Sequence, residues 1–239
     1  MSPSQLHLCD QRSAEWYAAR SGRVTASESA PFILNAGKVA ETAKQKLIDK
    51  KLAEWAGEFE ETFVNDAMKR GIALEAIARE QYALMLGAPV VEVGFVSHLT
   101  HALGCSPDAI VLSSLPEMLG ETDIVKAMVG GAEFKCPGGA TQIRYLREKV
   151  LPEEYKYQVH HTMAILGTPW HDFYSFCPKV TRWTKTREMW VCDEWEAGKL
   201  PSFYIRVYRD AFTEELHRGL LVLSDEITRQ RAWLEALNA

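Results

Sequence analysis

Asp108, Glu133 and Lys135 are the residues with the most chemistry to offer. Glu133-Phe134-Lys135 sets an acid and an amine two positions apart, so in a strand both point to one face while Phe134 points into the core. A neighbouring strand carrying Asp108 brings a second carboxylate to the same sheet edge. Paired carboxylates hold hard cations such as Mg²⁺ or Mn²⁺ through oxygen. Such ions lower the pKa of bound water and clamp the attacking and leaving oxygens of a phosphodiester. Lys135 is suited to orient or deprotonate the water and to offset charge on the phosphate. The main-chain carbonyl of Phe134 is an extra ligand candidate. An acid-x-lysine pair alone is common in strands. The surrounding segments, Cys105-Ser106-Pro107-Asp108 and Glu133-Phe134-Lys135-Cys136-Pro137, are far more distinctive.

The elements that must position these groups follow from periodicity. An amphipathic stretch around Trp16 and Tyr17 is broken by Gly22, and Thr25 or Ser27 can cap a short helix after it. Ala43, Leu47, Leu52 and Trp55 predict a helix over 40–56. A stronger helix over 65–86 carries Leu74, Ile77, Ala78, Gln81 and Met85 as its stripe, with Glu75 beside it. Alternation predicts strands at Val91–Phe95, Leu103–Leu112, Gly131–Cys136, His171–Cys177 and Phe203–Tyr208. Ser113–Gly130 reads as an extended hairpin connection. Helices over 152–166, ended by Gly167, and over 212–237 complete the chain. This order predicts an α+β fold with a central mixed β-sheet flanked by helices, in a single domain spanning 1–239.

Composition narrows the class. Of 239 residues, 47% are hydrophobic and 25% charged, an ordinary globular balance. No apolar run approaches the ~20 residues needed to cross a bilayer, and Met1–Asp10 lacks the pattern of a secretory signal, so a cytoplasmic protein is expected. Five widely spaced cysteines without a CxxC exclude a disulfide framework and a zinc knuckle, and predict reduced, mostly buried thiols. The net charge of −5 disfavours general nucleic-acid binding, yet residues 12–51 hold eight Lys/Arg against four acids. A local basic surface can hold phosphates on an acidic whole. Lys44–Lys51 equally reads as a solvated helix face.

The segment Trp16-Tyr17-Ala18-Ala19-Arg20-Ser21-Gly22-Arg23-Val24-Thr25-Ala26-Ser27-Glu28, then Gly71-Ile72-Ala73-Leu74-Glu75, the two segments above, and Tyr157-Gln158-Val159 occur in that order. Together they resemble the lambda exonuclease, or YqaJ-type viral recombinase, family of the PD-(D/E)xK nucleases. The resemblance implies a restriction-endonuclease-like core and a Mg²⁺-dependent 5′→3′ exonuclease on double-stranded DNA, with Mn²⁺ able to substitute. Such an enzyme releases mononucleotides and leaves a 3′ single strand. Asp108 and Glu133 would be metal ligands and Lys135 the catalytic lysine. Glu75 would be a supporting acid, and Gln158 would position the lysine or the water. Arg20, Ser27 and Ser106 would hold the terminal 5′-phosphate, and Met68 would be an apolar wedge splitting the terminal base pair. The family further implies a homotrimeric ring around DNA, a single-strand annealing protein as partner, and service in phage or prophage recombination.

Each role has a plainer reading. Arg20 fits a surface ion pair, Ser27 a helix cap, Glu75 a partner for Arg79 at i+4, Gln158 a helix-surface amide, and Met68 core packing. His160 and His161 point in different directions on a helix and read as packing or DNA-side residues. Against the family pattern, the 113–130 connection is longer and the segment before Trp16 is short. Another endonuclease of the same superfamily, or a non-catalytic DNA clamp, are the competing functions.

Overall fold

Ser13 starts the first helix. Its side chain accepts the N–H of Trp16 at 3.2 Å, and α1 runs over Ala14–Arg20. Gly22 then turns the chain with a left-handed φ of +68°, and a Cβ there would stand only 3.2 Å from Trp55. The computed structural model describes residues 4–59, 65–118 and 120–237. Thr25 and Glu28 form a reciprocal capping box on a short 3₁₀ turn over Ala26–Glu28. Helix α2 spans Lys38–Trp55 and α3 spans Asp66–Leu86. Asn65 caps α3 by accepting the Met68 N–H, and Gly87 closes it in the left-handed conformation.

Four further helices follow: α4 (Glu121–Ala127), α5 (Gly139–Glu148), α6 (Glu153–Leu166) and α7 (Ala211–Leu237). The 113–130 connection therefore contains a helix rather than an extended hairpin, with residue 119 outside the described residues. Helix α5 was not expected; it begins directly after Pro137-Gly138.

The strands are β1 (Ser4–His7), β2 (Val24–Thr25), β3 (Val90–Val91), β4 (Phe95–His98), β5 (Leu103–Cys105), β6 (Ala109–Leu112), β7 (Met128–Lys135), β8 (Trp170–Ser175), β9 (Lys179–Lys185), β10 (Trp190–Glu196) and β11 (Phe203–Tyr208). A mixed five-stranded sheet has the order β11-β8-β7-β6-β3, with β7 and β8 parallel and the other neighbours antiparallel. A four-stranded sheet has the order β1-β4-β5-β2, and β9 pairs with β10 in a separate hairpin. The stretch Leu103–Leu112 is thus two strands belonging to two sheets. Pro107, which has no N–H to donate, lies in the crossing between them.

Both faces of the five-stranded sheet are covered. On one, Ala109, Val111, Ala132, Phe134 and Tyr174 pack against Ala78 and Tyr82 of α3. On the other, Ile110 and Leu112 join Ile165 and Leu166 of α6 and Leu216, Leu220, Leu223 and Ile227 of α7. Tyr82, absent from the expected α3 stripe, is fully buried, whereas Met85 is exposed. Helix α7 covers this core. Of the cysteines, which are all free thiols, Cys105 alone is buried and Cys9, Cys136, Cys177 and Cys192 are partly exposed, contrary to the expectation of buried thiols. Among the described residues no helix is long and apolar enough to cross a membrane.

Candidate active site

The pleat of β7 decides where its functional groups go. Ala132 and Phe134 face α3, so Glu133 and Lys135 emerge on the α6 side. Ala109 of β6 pairs with Ala132, and Asp108, one residue earlier, comes alongside Glu133. Its Oδ2 accepts the Phe134 N–H at 2.6 Å, which ties the start of β6 to the end of β7.

Glu133 is buried, but not among apolar groups. Its Oε1 accepts from Lys135 Nζ and from Gln158 Nε2, the latter at 2.7 Å. Its Oε2 is buried and has no hydrogen-bond partner. An orphaned carboxylate oxygen is expensive in a protein interior unless something outside the protein fills the gap. Gln158 lies on α6, three residues from Tyr155, so both share one helix face. The Tyr155 ring lies 5.0 Å from Lys135 Nζ. Sequence reading missed Tyr155, although its spacing from Gln158 was a visible signal.

The carboxylates crowd one another. Burial first, and Asp108 next, push Glu133 up to about 7 in spite of Lys135. Burial and Asp108 likewise push Glu75 up to about 7, against the pull of Arg79 and Arg12. Burial raises Asp108 too, offset in part by Lys135 and the Phe134 N–H. Burial alone would lower Lys135, but Glu133 and Asp108 hold it above its ordinary value. Three interacting acids thus face one cationic amine.

Glu75, on α3, is 3.4 Å from Arg79, so the i+4 pair exists. Arg79 is shared, because it also donates to the Asp108 carbonyl at 3.0 Å and pairs with Glu92. Glu75, Asp108 and Lys135 line one open cleft of about 1200 Å³ with Arg12, Trp16, Arg20, Met68, Arg70 and Tyr155. Met68 is exposed in that cleft rather than packed in a core.

Trp16 links two of the expected phosphate-binding residues. Its Nε1 donates to Ser106 Oγ at 2.9 Å, and the Arg20 guanidinium stacks 4.1 Å above its ring. Among the described residues Arg20 makes no salt bridge, which removes the surface-pair reading. Ser27 stands apart: it is exposed, with its Oγ 3.3 Å from Thr25 Oγ1, and Thr25 rather than Ser27 caps the 3₁₀ turn. Nearby, burial would raise Glu28, but Lys51 above all brings it down to about 2. His160 and His161 belong to the interior: His160 Nδ1 meets Thr213 Oγ1 at 2.7 Å, and His161 Nδ1 meets Ser29 Oγ.

Oxygen donors suit a hard divalent cation, and the unpartnered Glu133 Oε2 beside Asp108 fits one. No group of three His, Cys, Asp or Glu side chains among the described residues is by itself arranged to hold a metal ion. Water and a phosphate oxygen would have to complete the coordination.

A family model for the YqaJ-like viral recombinase domain matches residues 15–169. The fold is similar to that of LHK-Exo, an alkaline exonuclease from Laribacter hongkongensis, with a TM-score of 0.68 and 27% identity over 95% of this chain and 98% of that one. LHK-Exo in complex with dAMP matches with the same TM-score and 26% identity over the same shares. A phage related exonuclease from Haemophilus somnus 129PT, 10% identical, shares the fold at a TM-score of 0.53 over 91% of this chain and 96% of that one. No curated protein matches the sequence.

Proposed function

The chain belongs to the YqaJ-like viral recombinase domain family, and on that premise we propose that it is a divalent-metal-dependent exonuclease. It acts 5′→3′ on double-stranded DNA ends, releases mononucleotides and leaves 3′ single strands for annealing. The observation that carries this reading is the Glu133 carboxylate, with one oxygen fixed by Lys135 and Gln158 and the other buried and free beside Asp108. The binding of dAMP, a mononucleotide, by LHK-Exo supports the product class.

Asp108, Glu133 and the Phe134 carbonyl would hold Mg²⁺, or Mn²⁺ in its place, with Glu75 in support. The ion supplies an acidified water and charge neutralisation at the phosphate. The chain's own groups do the rest. Lys135, held protonated by Glu133 and Asp108, orients the water and stabilises charge on the phosphate oxygens. Gln158 fixes the Glu133 carboxylate in one orientation, and the Tyr155 ring confines the lysine head. Arg20 and Ser106, joined through Trp16, are placed to take the 5′-phosphate of the strand being digested, with Ser27 a more distant contributor. Met68, exposed at the start of α3, is the apolar wedge against the terminal base pair. We further assign the whole chain to one nuclease domain, working as a homotrimeric ring with an annealing protein in the cytoplasm.

The test is digestion of linear and covalently closed circular duplexes with Mg²⁺, with product identification. Linear DNA should yield mononucleotides, the closed circle should survive, and chelation should stop the reaction. Ca²⁺ should not restore it, since its coordination is larger and looser. Cleavage of the circle would establish an endonuclease instead. A Lys135→Ala variant that digests linear DNA at the parental rate would remove the proposed chemistry.

A further inference from the structure

Two residues other than glycine have left-handed backbones among those described: Lys149, at φ +55°, and Arg12, at φ +71°. Lys149 is the C-cap of α5, where that conformation ends a helix. Arg12 has no such explanation. It lies two residues before α1, in a turn closed by the Ser13 N–H on the Asp10 carbonyl at 3.1 Å. Gly, Asn or Asp would be at less strain there. A strained residue persists where its surroundings hold it, and such positions gather at working sites.

The surroundings do hold it. Gln11 directs its Nε2 toward the carbonyls of Val93 and Pro107, each at 3.4 Å, and Pro107 directly precedes Asp108. Ser13 is committed to capping α1. The turn is therefore fixed to the same segment that carries the catalytic aspartate. Arg12 lines the active-site cleft, is exposed, and makes no hydrogen bond or salt bridge among the described residues. Its charge is felt by Glu75 and Asp108, whereas Arg20, which lines the same cleft, is felt by Glu28 and Glu54. The two guanidiniums thus serve different places.

We propose that Arg12 binds a backbone phosphate of the DNA strand lying over Asp108 and Glu75, separate from the end phosphate at Arg20. This rests on the nuclease reading above. The rival role is a permanent counter-charge for the two acids. A divalent cation held by those acids would repel a guanidinium so close by, and an anion between them removes the conflict. An unpaired, planar, always-charged donor set suits a phosphodiester oxygen.

The experiment compares the parent with Arg12→Gly, whose backbone accepts the left-handed turn, and with Arg12→Lys. Binding of a 5′-phosphorylated duplex is read by fluorescence anisotropy in Ca²⁺ over a salt series, alongside Mn²⁺ affinity. The expected result for Arg12→Gly is a parental melting temperature, about ten-fold weaker DNA binding and a salt slope smaller by about 1. Arg12→Lys should recover the slope. An unchanged slope overturns the proposal, and if Mn²⁺ affinity alone changes, Arg12 is the counter-charge instead. A parent that neither binds nor cuts duplex DNA sinks the nuclease reading itself, whereas a parent that cuts and an Arg12→Gly variant with parental slope sinks only this one.

Discussion

Gln158 donates to the same Glu133 oxygen that receives Lys135, so an amide on α6 and an amine on β7 share one oxygen of Glu133 and leave the second buried without a partner. The amide neither carries charge nor titrates, and it can serve only by orientation. A Gln158→Leu variant should fold normally but lose about 10- to 100-fold in activity or metal affinity, the usual cost of removing a group that orients a ligand. Digestion of linear duplex at several Mg²⁺ concentrations checks it. If the loss disappears at saturating metal, Gln158 acts on ion binding. Parental behaviour at every concentration would make it an idle surface amide.

Asp172 is the buried counterpart on the far side of the sheet. It accepts from Tyr82 at 2.7 Å, from Tyr204 at 3.2 Å, and from Arg206 through two bonds at 2.9 Å. Arg206 is itself stacked 3.6 Å over Trp170. Tyr82 stands two helical turns after Glu75 on α3, so this network sets how the helix carrying Glu75 lies on the sheet. Asp172→Ala strands a guanidinium and should cost about 3–5 kcal/mol, seen as a fall of about 10 °C in melting temperature. A fall of only a degree or two would show that α3 is aligned by its apolar contacts alone.

The contrast between these two networks shows what could be read in advance. Glu133 and Lys135 were legible because a strand's period is two, and Phe134 between them could only be core. The long helices were legible from their apolar spacing, and α6 also from its Gly167 end. The split of Leu103–Leu112 between two sheets was not, because both halves are apolar and buried and periodicity carries no sheet label. Pro107 was the available sign. The Asp172 network joins α3, β8 and β11 and depends on tertiary pairing, so no local pattern announces it. The β9–β10 hairpin escaped for another reason: it is mostly exposed, and register shifts between Cys192 and Trp195 break the period of two that would announce a strand. Arg12 was counted only as charge, since sequence does not display a positive φ.

Two buried histidines should weaken the fold in acid. Burial lowers both His161 and His171 to about 3, and His171 has no partner on either ring nitrogen. Their folded pKa lies below the ordinary 6.5, so the stability they contribute is fully present above pH 6.5 and drains away as pH falls toward 3. At pH 5 each costs about 2 kcal/mol relative to pH 8. A His171→Leu variant should therefore lose about 2 kcal/mol less than the parent between pH 8 and pH 5 in urea unfolding. Equal losses would mean that His171 stays neutral in both states or is solvated when folded.

Glu75 and Glu133 act with the opposite sign. Raised to about 7 from an ordinary 4.5, they favour the fold while protonated, and that contribution is lost as pH rises from 4.5 through 7. A cation bound to the ionised pair offsets the loss and must displace protons to do so. The rise in melting temperature on adding Mg²⁺ should be larger at pH 8 than at pH 6. A shift independent of pH would place the ion elsewhere on the molecule.

The Arg20 guanidinium, stacked on Trp16 and free of any described salt bridge, makes the end-recognition claim separable from the chemistry. Stacking fixes the plane of the guanidinium and leaves its edge to form paired bonds with a terminal phosphate. The parent should begin digestion faster on 5′-phosphorylated ends than on dephosphorylated ones. Arg20→Ala should lower the rate on phosphorylated ends by about 10- to 100-fold and leave the dephosphorylated rate little changed, erasing the preference. Single-turnover release of the first nucleotide from both substrates measures this directly. A preference that survives Arg20→Ala transfers the role to Ser106 or to another cation of the cleft. Loss of both rates together would mean that Arg20 supports the whole binding surface through its stack on Trp16 rather than reading the end.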